Sequence, residues 1–195
     1  IGPMKRASTG LALGLLAASV AIAAPVTYNV DPAHTYPAFE ADHMGGLSLW
    51  RGKINSSSGT VVLDREAKTG SVEITMDMSS IDFGHEQMNT HAKSPEIFDV
   101  AKYPTATYKG KLAAFKGDAP GEVQGELTLH GVTKPVTLQI VSFLCKPNPM
   151  TQKESCGADA LALIKRDDFG VDFGKAFGFK MDVTLRISIE AGRAD

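Results

Sequence analysis

Five histidines, His34, His43, His85, His91 and His130, are the side chains able to move protons near neutral pH, and their spacing decides what they could do together. His85-Glu86-Gln87-Met88-Asn89 opens like the HExxH signature of zinc proteases, where two histidines one helical turn apart hold the metal. Asn89 stands where the second histidine would have to be, so no two-ligand helix face forms. The other histidines recur at no ligand spacing, and a hydrogen-bonded structural role is the usual fate of such residues. Gly46-Leu47-Ser48-Leu49-Trp50 lacks the closing glycine of a nucleophile elbow. Neither a phosphate loop nor a dinucleotide fingerprint occurs. Carboxylates are plentiful, but a catalytic pair is defined by separation in space, not in sequence. The residues make no positive case for catalysis, for a metal or for a cofactor. The enzymatic alternative would be a barrel hydrolase or isomerase using His91 or His34 with nearby acids.

Cys145 and Cys156 are the only cysteines and flank the turn-rich segment Lys146 to Ser155. Their chemistry depends on compartment. Lys5-Arg6, the apolar run Leu11 to Ile22 and Ala21-Ile22-Ala23 together form a secretory pattern with Ala24 as the expected mature start, while Ile1-Gly2-Pro3 ahead of Met4 reads as a cloning remnant. Residues 1–23 are therefore expected to be processed away and residues 24–195 to form one periplasmic domain. In an exported chain an even cysteine pair reads as a disulfide staple. A redox CxxC or a zinc site would need other spacing or more ligands. Loss of Lys5 and Arg6 leaves 18 basic against 22 acidic residues, a formal charge of −4. That balance argues against nucleic acid and anionic membrane as partners. No second apolar span follows, so stable membrane insertion is not expected.

The elements that would position these residues are nearly all strands. Val183, Leu185, Ile187 and Ile189 alternate with Thr184, Arg186, Ser188 and Glu190, and the period of two extends back to Phe179 and Met181. Such alternation buries one face and wets the other. Shorter runs of the same kind start at Tyr28, Tyr36, Trp50, Thr60, Val72, Ala106, Val123, Val136 and Ala158. Eight or more strands with turn signals between them form an antiparallel barrel or a sandwich. One stretch breaks the period: His85 to Lys93 predicts a helix, and Pro95 to Asp99 a further helical turn. Small residues in the inward phase, Ala41, Gly52, Ala106, Gly110 and Gly125, favour a barrel with room inside. Its tunnel is expected to be lined by Phe39, Tyr108, Leu127, Phe169, Phe179, Met181 and Val183. His85, His91, Lys93, Ser94 and Arg166 are the donors placed to meet a polar head group.

DPAHTYPAFEADHMG at 31–45, SSIDFG at 79–84, HAKSPEIFDVAKYPTATYKG at 91–110, GELTLHGVTKPVTL at 125–138 and IKRDDFGV at 164–171 occur in that order. The set resembles the YceI-like family over about residues 26–191. The resemblance implies an all-β, lipocalin-like extended antiparallel barrel of about eight strands with one short helical insert. It implies a lipophilic small-molecule partner, a polyisoprenoid or quinone-like molecule held in the interior for transport, storage or sequestration, and no catalytic machinery. A homodimer is compatible with it. Ile97-Phe98 occupies the place where two phenylalanines often stand in the family, which brings Phe98 into the expected site. Met88-Asn89-Thr90 precede His91 where relatives often carry an Arg-Asp pair, so a pyrophosphate head is not implied here. A solid-cored structural protein is the remaining alternative.

Overall fold

Strict alternation in the last strand sets the architecture. The computed structural model describes residue 2 and residues 23–195, so the expected signal segment lies outside the described residues except at its edges. β11 (Asp182–Arg193) is long enough to serve two partners. Its first half pairs with β2 (Tyr36–His43) and its last residues pair with β1 (Val26–Val30). Asp31-Pro32 breaks β1 from β2, and the Asp31 carboxylate accepts from Ala33 N at 2.9 Å and meets His34 Nδ1 at 2.7 Å. β1 and β2 are thus one interrupted ribbon laid along β11.

The same interruption repeats in the next two ribbons. β3 (Ser48–Ile54) pairs with β2 while β4 (Ser57–Asp64) pairs with β1. β5 (Thr69–Asp77) pairs with β4, and β6 (Ile81–Asp82) pairs with β3 after a 3₁₀ turn at Met78–Ser80 capped by the Asp77 side chain. β7 (Thr105–Ala113), β8 (Glu122–Leu129), β9 (Val132–Pro147) and β10 (Glu154–Lys165) then run as a meander back to β11. The ring β1-β4-β5-β7-β8-β9-β10-β11 closes on itself as an eight-stranded antiparallel barrel. All described pairings are antiparallel, as short connections demand.

Closure is unequal at the two ends. Toward the β2–β3 turn, the sheet runs β11-β2-β3-β6, and β6 pairs only with β3 among the described residues. The last backbone link across to the β7 side is Met78 N to Pro104 O at 2.9 Å. Residues 83–104 fill the gap beyond it. Gly84 breaks the strand with a φ of 71°, and α1 (Glu86–Lys93) follows, with His85 Nδ1 accepting from Met88 N at 3.3 Å as the N-cap. Asn89, at the position that rules out a zinc motif, ties this helix to β6 by accepting from Phe83 N at 2.7 Å and donating to Asp82 at 3.0 Å. Pro95 to Phe98 forms hydrogen-bonded turns, not the expected helical turn, because Ile97 N and Asp99 N both return to the Ser94 carbonyl.

Two packed clusters support the wall. Tyr28, Leu63, Leu112, Val123 and Phe169 belong to the larger, while Ile54, Met78, Ile81 and Ala106 pack with Ala92 of the insert in the smaller. The inward glycines do not simply make space, as expected from the sequence. A Cβ on Gly52 would lie 2.6 Å from the Phe39 ring, and one on Gly125 2.6 Å from the Tyr108 ring. Each of these two glycines is roofed by an aromatic side chain from the neighbouring strand, which repacks the hole a missing side chain leaves, while Gly110 is closed by Val123 and neighbouring backbone. No helix among the described residues is long and apolar enough to cross a membrane.

Candidate functional site

Inside the barrel runs a cavity of about 500 Å³, within the range that holds a small lipophilic ligand. Its walls come from every strand of the ring. At the insert end they include Trp50, Phe83, His91 and Phe179; at the other end they include Tyr28, Phe143, Cys156 and Ala191. The cavity therefore extends along the barrel. Between these ends the wall is mainly Val, Leu, Ile, Met and Ala, which can recognise length and apolarity but offer no directed hydrogen bond, and the Tyr108 hydroxyl among them is spent on the Val136 carbonyl.

Phe39, His91, Phe98, Tyr108, Leu127, Arg166, Phe179 and Val183 are brought together around this space. Phe169 and Met181 are not. Phe169 is only 2 % exposed, but it closes a 3₁₀ turn (Arg166–Phe169) and packs into the core, with its carbonyl 3.1 Å from His130 Nδ1. Met181 precedes the first residue of β11, because a 3₁₀ turn at Lys175–Phe177 delays the strand by three residues from the expected start at Phe179. The alternation that should have pointed Met181 inward is not enforced there.

The insert end carries an aromatic collar. His43 lies 5.3 Å from Trp50 and 5.5 Å from Phe179, and Phe83 packs edge-on to Phe39 at 5.4 Å. His91 meets Phe173 edge-on at 4.8 Å and has its Nε2 2.8 Å from Glu96. Arg166 lines the cavity beside them and donates to the carbonyls of Val171 at 2.9 Å and Phe173 at 2.7 Å. It forms no ion pair with a carboxylate among the described residues, and desolvation lowers its pKa from the usual arginine value. Of the other expected donors, His85 caps α1 and Ser94 Oγ accepts from Glu96 N at 3.3 Å, so both serve the local backbone. Lys93 is not part of the cavity wall. Trp50, Phe83, His43 and Phe173 were missed by sequence reasoning. The period-two phase of β2 and β3 could have supplied His43 and Trp50, but Phe83 and Phe173 lie in irregular segments with no period to read. His34 is held by Asp31 on the turn between β1 and β2, outside the cavity wall, so the two histidines of the enzymatic alternative do not share a site.

A polar lock stands at the opposite end. Tyr28 Oη donates to the Glu154 carboxylate, and Arg65 bonds the same carboxylate at 3.0 Å. Burial would raise the Glu154 carboxyl, but the hydrogen bonds from Tyr28 and Arg65 hold it below its ordinary value. Cys145 and Cys156 are disulfide-bonded directly across the β9–β10 ladder, with Cα atoms 4.0 Å apart. Cys156 is part of the cavity wall, so the bridge borders the interior. Higher on the wall, Tyr108 Oη donates to the Val136 carbonyl at 2.7 Å.

Desolvation, with the Glu154 hydrogen bond added at Tyr28, pushes the Tyr28 and Tyr108 phenols up to about 12 from 10.0. A phenol whose folded pKa exceeds its unfolded one stabilises the fold below the unfolded value and loses that contribution as pH rises toward the folded one. Melting temperature should therefore fall between pH 10 and pH 12, with the two phenols ionising late in an absorbance titration. Ionisation of both near pH 10 in the folded protein would contradict the burial described.

A family model described as the YceI-like domain matches residues 28–191. A UPF0312 protein of Pseudomonas paraeruginosa is 31% identical over 195 residues, covering 97% of this chain and 99% of its own length. The protein YceI of Escherichia coli O157:H7 is 32% identical over 192 residues, with 96% and 97% covered. Among solved structures, BcnA of Burkholderia cenocepacia superposes with a TM-score of 0.64 at 24% identity, over 83% of this chain and 99% of that one. A polyisoprenoid-binding domain from Saccharophagus degradans superposes with a TM-score of 0.59 at 17% identity, over 86% and 99%. These two structures share the fold of the barrel. With a family match across nearly all of the barrel and relatives aligned end to end, this chain belongs to the YceI-like domain family.

Proposed function

We propose that this protein is a periplasmic carrier that holds a long lipophilic molecule, a polyisoprenoid or a quinone-like compound, in the barrel interior for transport, storage or sequestration. The observation that carries the reading is the lengthwise apolar cavity of about 500 Å³ inside a closed ring. A solid-cored structural barrel would not retain such a space. A tail entering it gains about 0.8 kcal/mol per methylene removed from water, so affinity does not require many polar contacts. The name of the Saccharophagus degradans neighbour supports an isoprenoid as the ligand class. The secretory pattern and the disulfide support export.

Phe39, Phe98, Tyr108, Leu127, Phe179 and Val183 are the proposed tail contacts, and His91 and Arg166 the proposed head-group contacts. Mass spectrometry of organic extracts from protein purified out of the periplasmic fraction is the direct test. An isoprenoid or quinone at near one equivalent is the expected result; absence of any lipid, together with failure to take up lipophilic probes, would overturn the proposal. Phe98→Ala should weaken every lipophilic ligand by roughly tenfold, the value of a partly buried aromatic side chain. His91→Ala should separate ligands that share a tail but differ in head group. Unchanged affinity in both variants, measured by fluorescence titration, would place the binding site away from the insert.

A further inference from the structure

The rim of the insert end exposes apolar side chains that the fold does not need. Met44 is 58 % and Leu47 74 % exposed at the tip of the β2–β3 turn, and Phe177 is 80 % exposed on the β10–β11 connection. The two tips are fastened to each other. A Cβ on Gly45 would lie 2.9 Å from the Gly178 carbonyl oxygen, and Asp42 Oδ2 accepts from Gly45 N at 2.8 Å and from Lys180 N at 2.9 Å. One carboxylate thus clasps turn and connection into a single platform. Its roots line the insert end of the cavity, since His43 and Trp50 flank the turn and Phe173 and Phe179 flank Phe177 on the wall. Other large apolar side chains, Val141, Leu144, Met150 and Leu163, are exposed along β9, β10 and the turn between them. Met44, Leu47, Leu49 and Phe177, however, are grouped on the two joined tips, and a grouped patch marks a contact surface.

We propose that this platform docks on a zwitterionic lipid bilayer, setting the insert end of the cavity against the phase from which a lipophilic ligand must come. The inference rests on the lipid-carrier reading given above. Met44 to Leu49 and Ala176 to Phe179 contain no charged residue, so the tips themselves bring no charge into an interface, and the Lys180 ammonium beside Gly46 ends a long flexible side chain that can reach water. Charges of both signs stand beside the tips: Lys180, whose Nζ would lie 3.4 Å from a Cβ on Gly46 and whose N–H bonds Asp42, and Lys175 paired to Asp167 at 2.8 Å. Anionic membranes are recognised by clusters of lysine and arginine lacking acidic neighbours. A balanced ring complements head groups that themselves carry both signs. Apolar burial and not net charge supplies the binding, so the interaction scales with the area inserted.

The full chain is to be co-sedimented with vesicles of phosphatidylcholine alone and of phosphatidylcholine mixed with phosphatidylglycerol. Equal binding to both, little changed by salt, is expected. The double variant Leu47→Asp with Phe177→Asp should bind vesicles at least about tenfold more weakly, since two apolar side chains leave the interface. Transfer of a pyrene-labelled fatty acid from vesicles to that variant should slow by a similar factor. The same probe added from an ethanol stock should bind parent and variant alike, which tests the cavity separately. If even the parent takes up no probe from ethanol, the carrier reading fails, and this inference with it. Binding confined to anionic vesicles, undiminished binding of the variant, or a parent dimer that the variant dissociates would each overturn the docking proposal. The last outcome would assign the platform to a second copy of the chain.

Discussion

Replacing Ala160 with phenylalanine should nearly abolish ligand binding while leaving the barrel folded. Ala160 lies on β10 opposite Ile187 and Ile140, is 6 % exposed, and lines the cavity together with both. In a filled core a substitution of this size costs roughly 1–3 kcal/mol in strain. Here the added ring has the cavity to enter, so stability should change by less than about 1 kcal/mol. Displacing about three methylenes of a bound tail forfeits about 2.4 kcal/mol, or roughly a fiftyfold loss of affinity. Thermal melts paired with titration of a lipophilic probe read both quantities. A variant that binds as tightly as the parent would show that the ligand lies elsewhere. A variant that loses several degrees of stability and little affinity would show that the interior behaves as a packed core.

Opening the Cys145–Cys156 bridge should cost about 3 kcal/mol, by the loop entropy that a short closed loop removes from the unfolded chain. For a domain of this size that is a drop of roughly 10 °C in melting temperature. The double variant Cys145→Ala with Cys156→Ala is the appropriate test, because alanine adds no hydroxyl that could form new hydrogen bonds with Arg65 or Glu154 beside Cys156. Arg65 loses its 3.5 Å contact with Cys156 Sγ in that variant but keeps its bond to Glu154, so most of the effect read is that of the bridge. Free-thiol titration of the unfolded, unreduced parent should find essentially none. Identical melting of parent and variant, or two thiols per chain in the parent, would refute the assignment.

Strand identity in this protein is written locally. The period of two needs only neighbouring residues, and Tyr36 to His43 is read from it with the boundaries that β2 has. The helix is equally local: Gly84 ends the extended run, and the stretch to Lys93 has no proline or glycine to interrupt the turns. The cysteine pairing needed only composition and compartment. What those signals cannot carry is which strand lies beside which. Asp31-Pro32 reads as a boundary between two strands, yet β1 and β2 are one ribbon because β11 is long enough to span both. Periodicity also fails wherever a ladder is absent. Phe169 lies in a 3₁₀ turn with no partner strand, and Met181 lies just before β11, joined to β10 only by the Arg166 N–H to its carbonyl at 2.9 Å, where the regular ladder has ended. The aromatic collar draws His43, Trp50, Phe83, Phe173 and Phe179 from segments far apart in the chain. Local sequence determined the strands, the helix and the bridge, because their energetics are settled between near neighbours and paired cysteines. Ring closure, the gap between β6 and β7 and the cavity were decided only by the tertiary structure, because they depend on registers and contacts between strands that no single segment specifies.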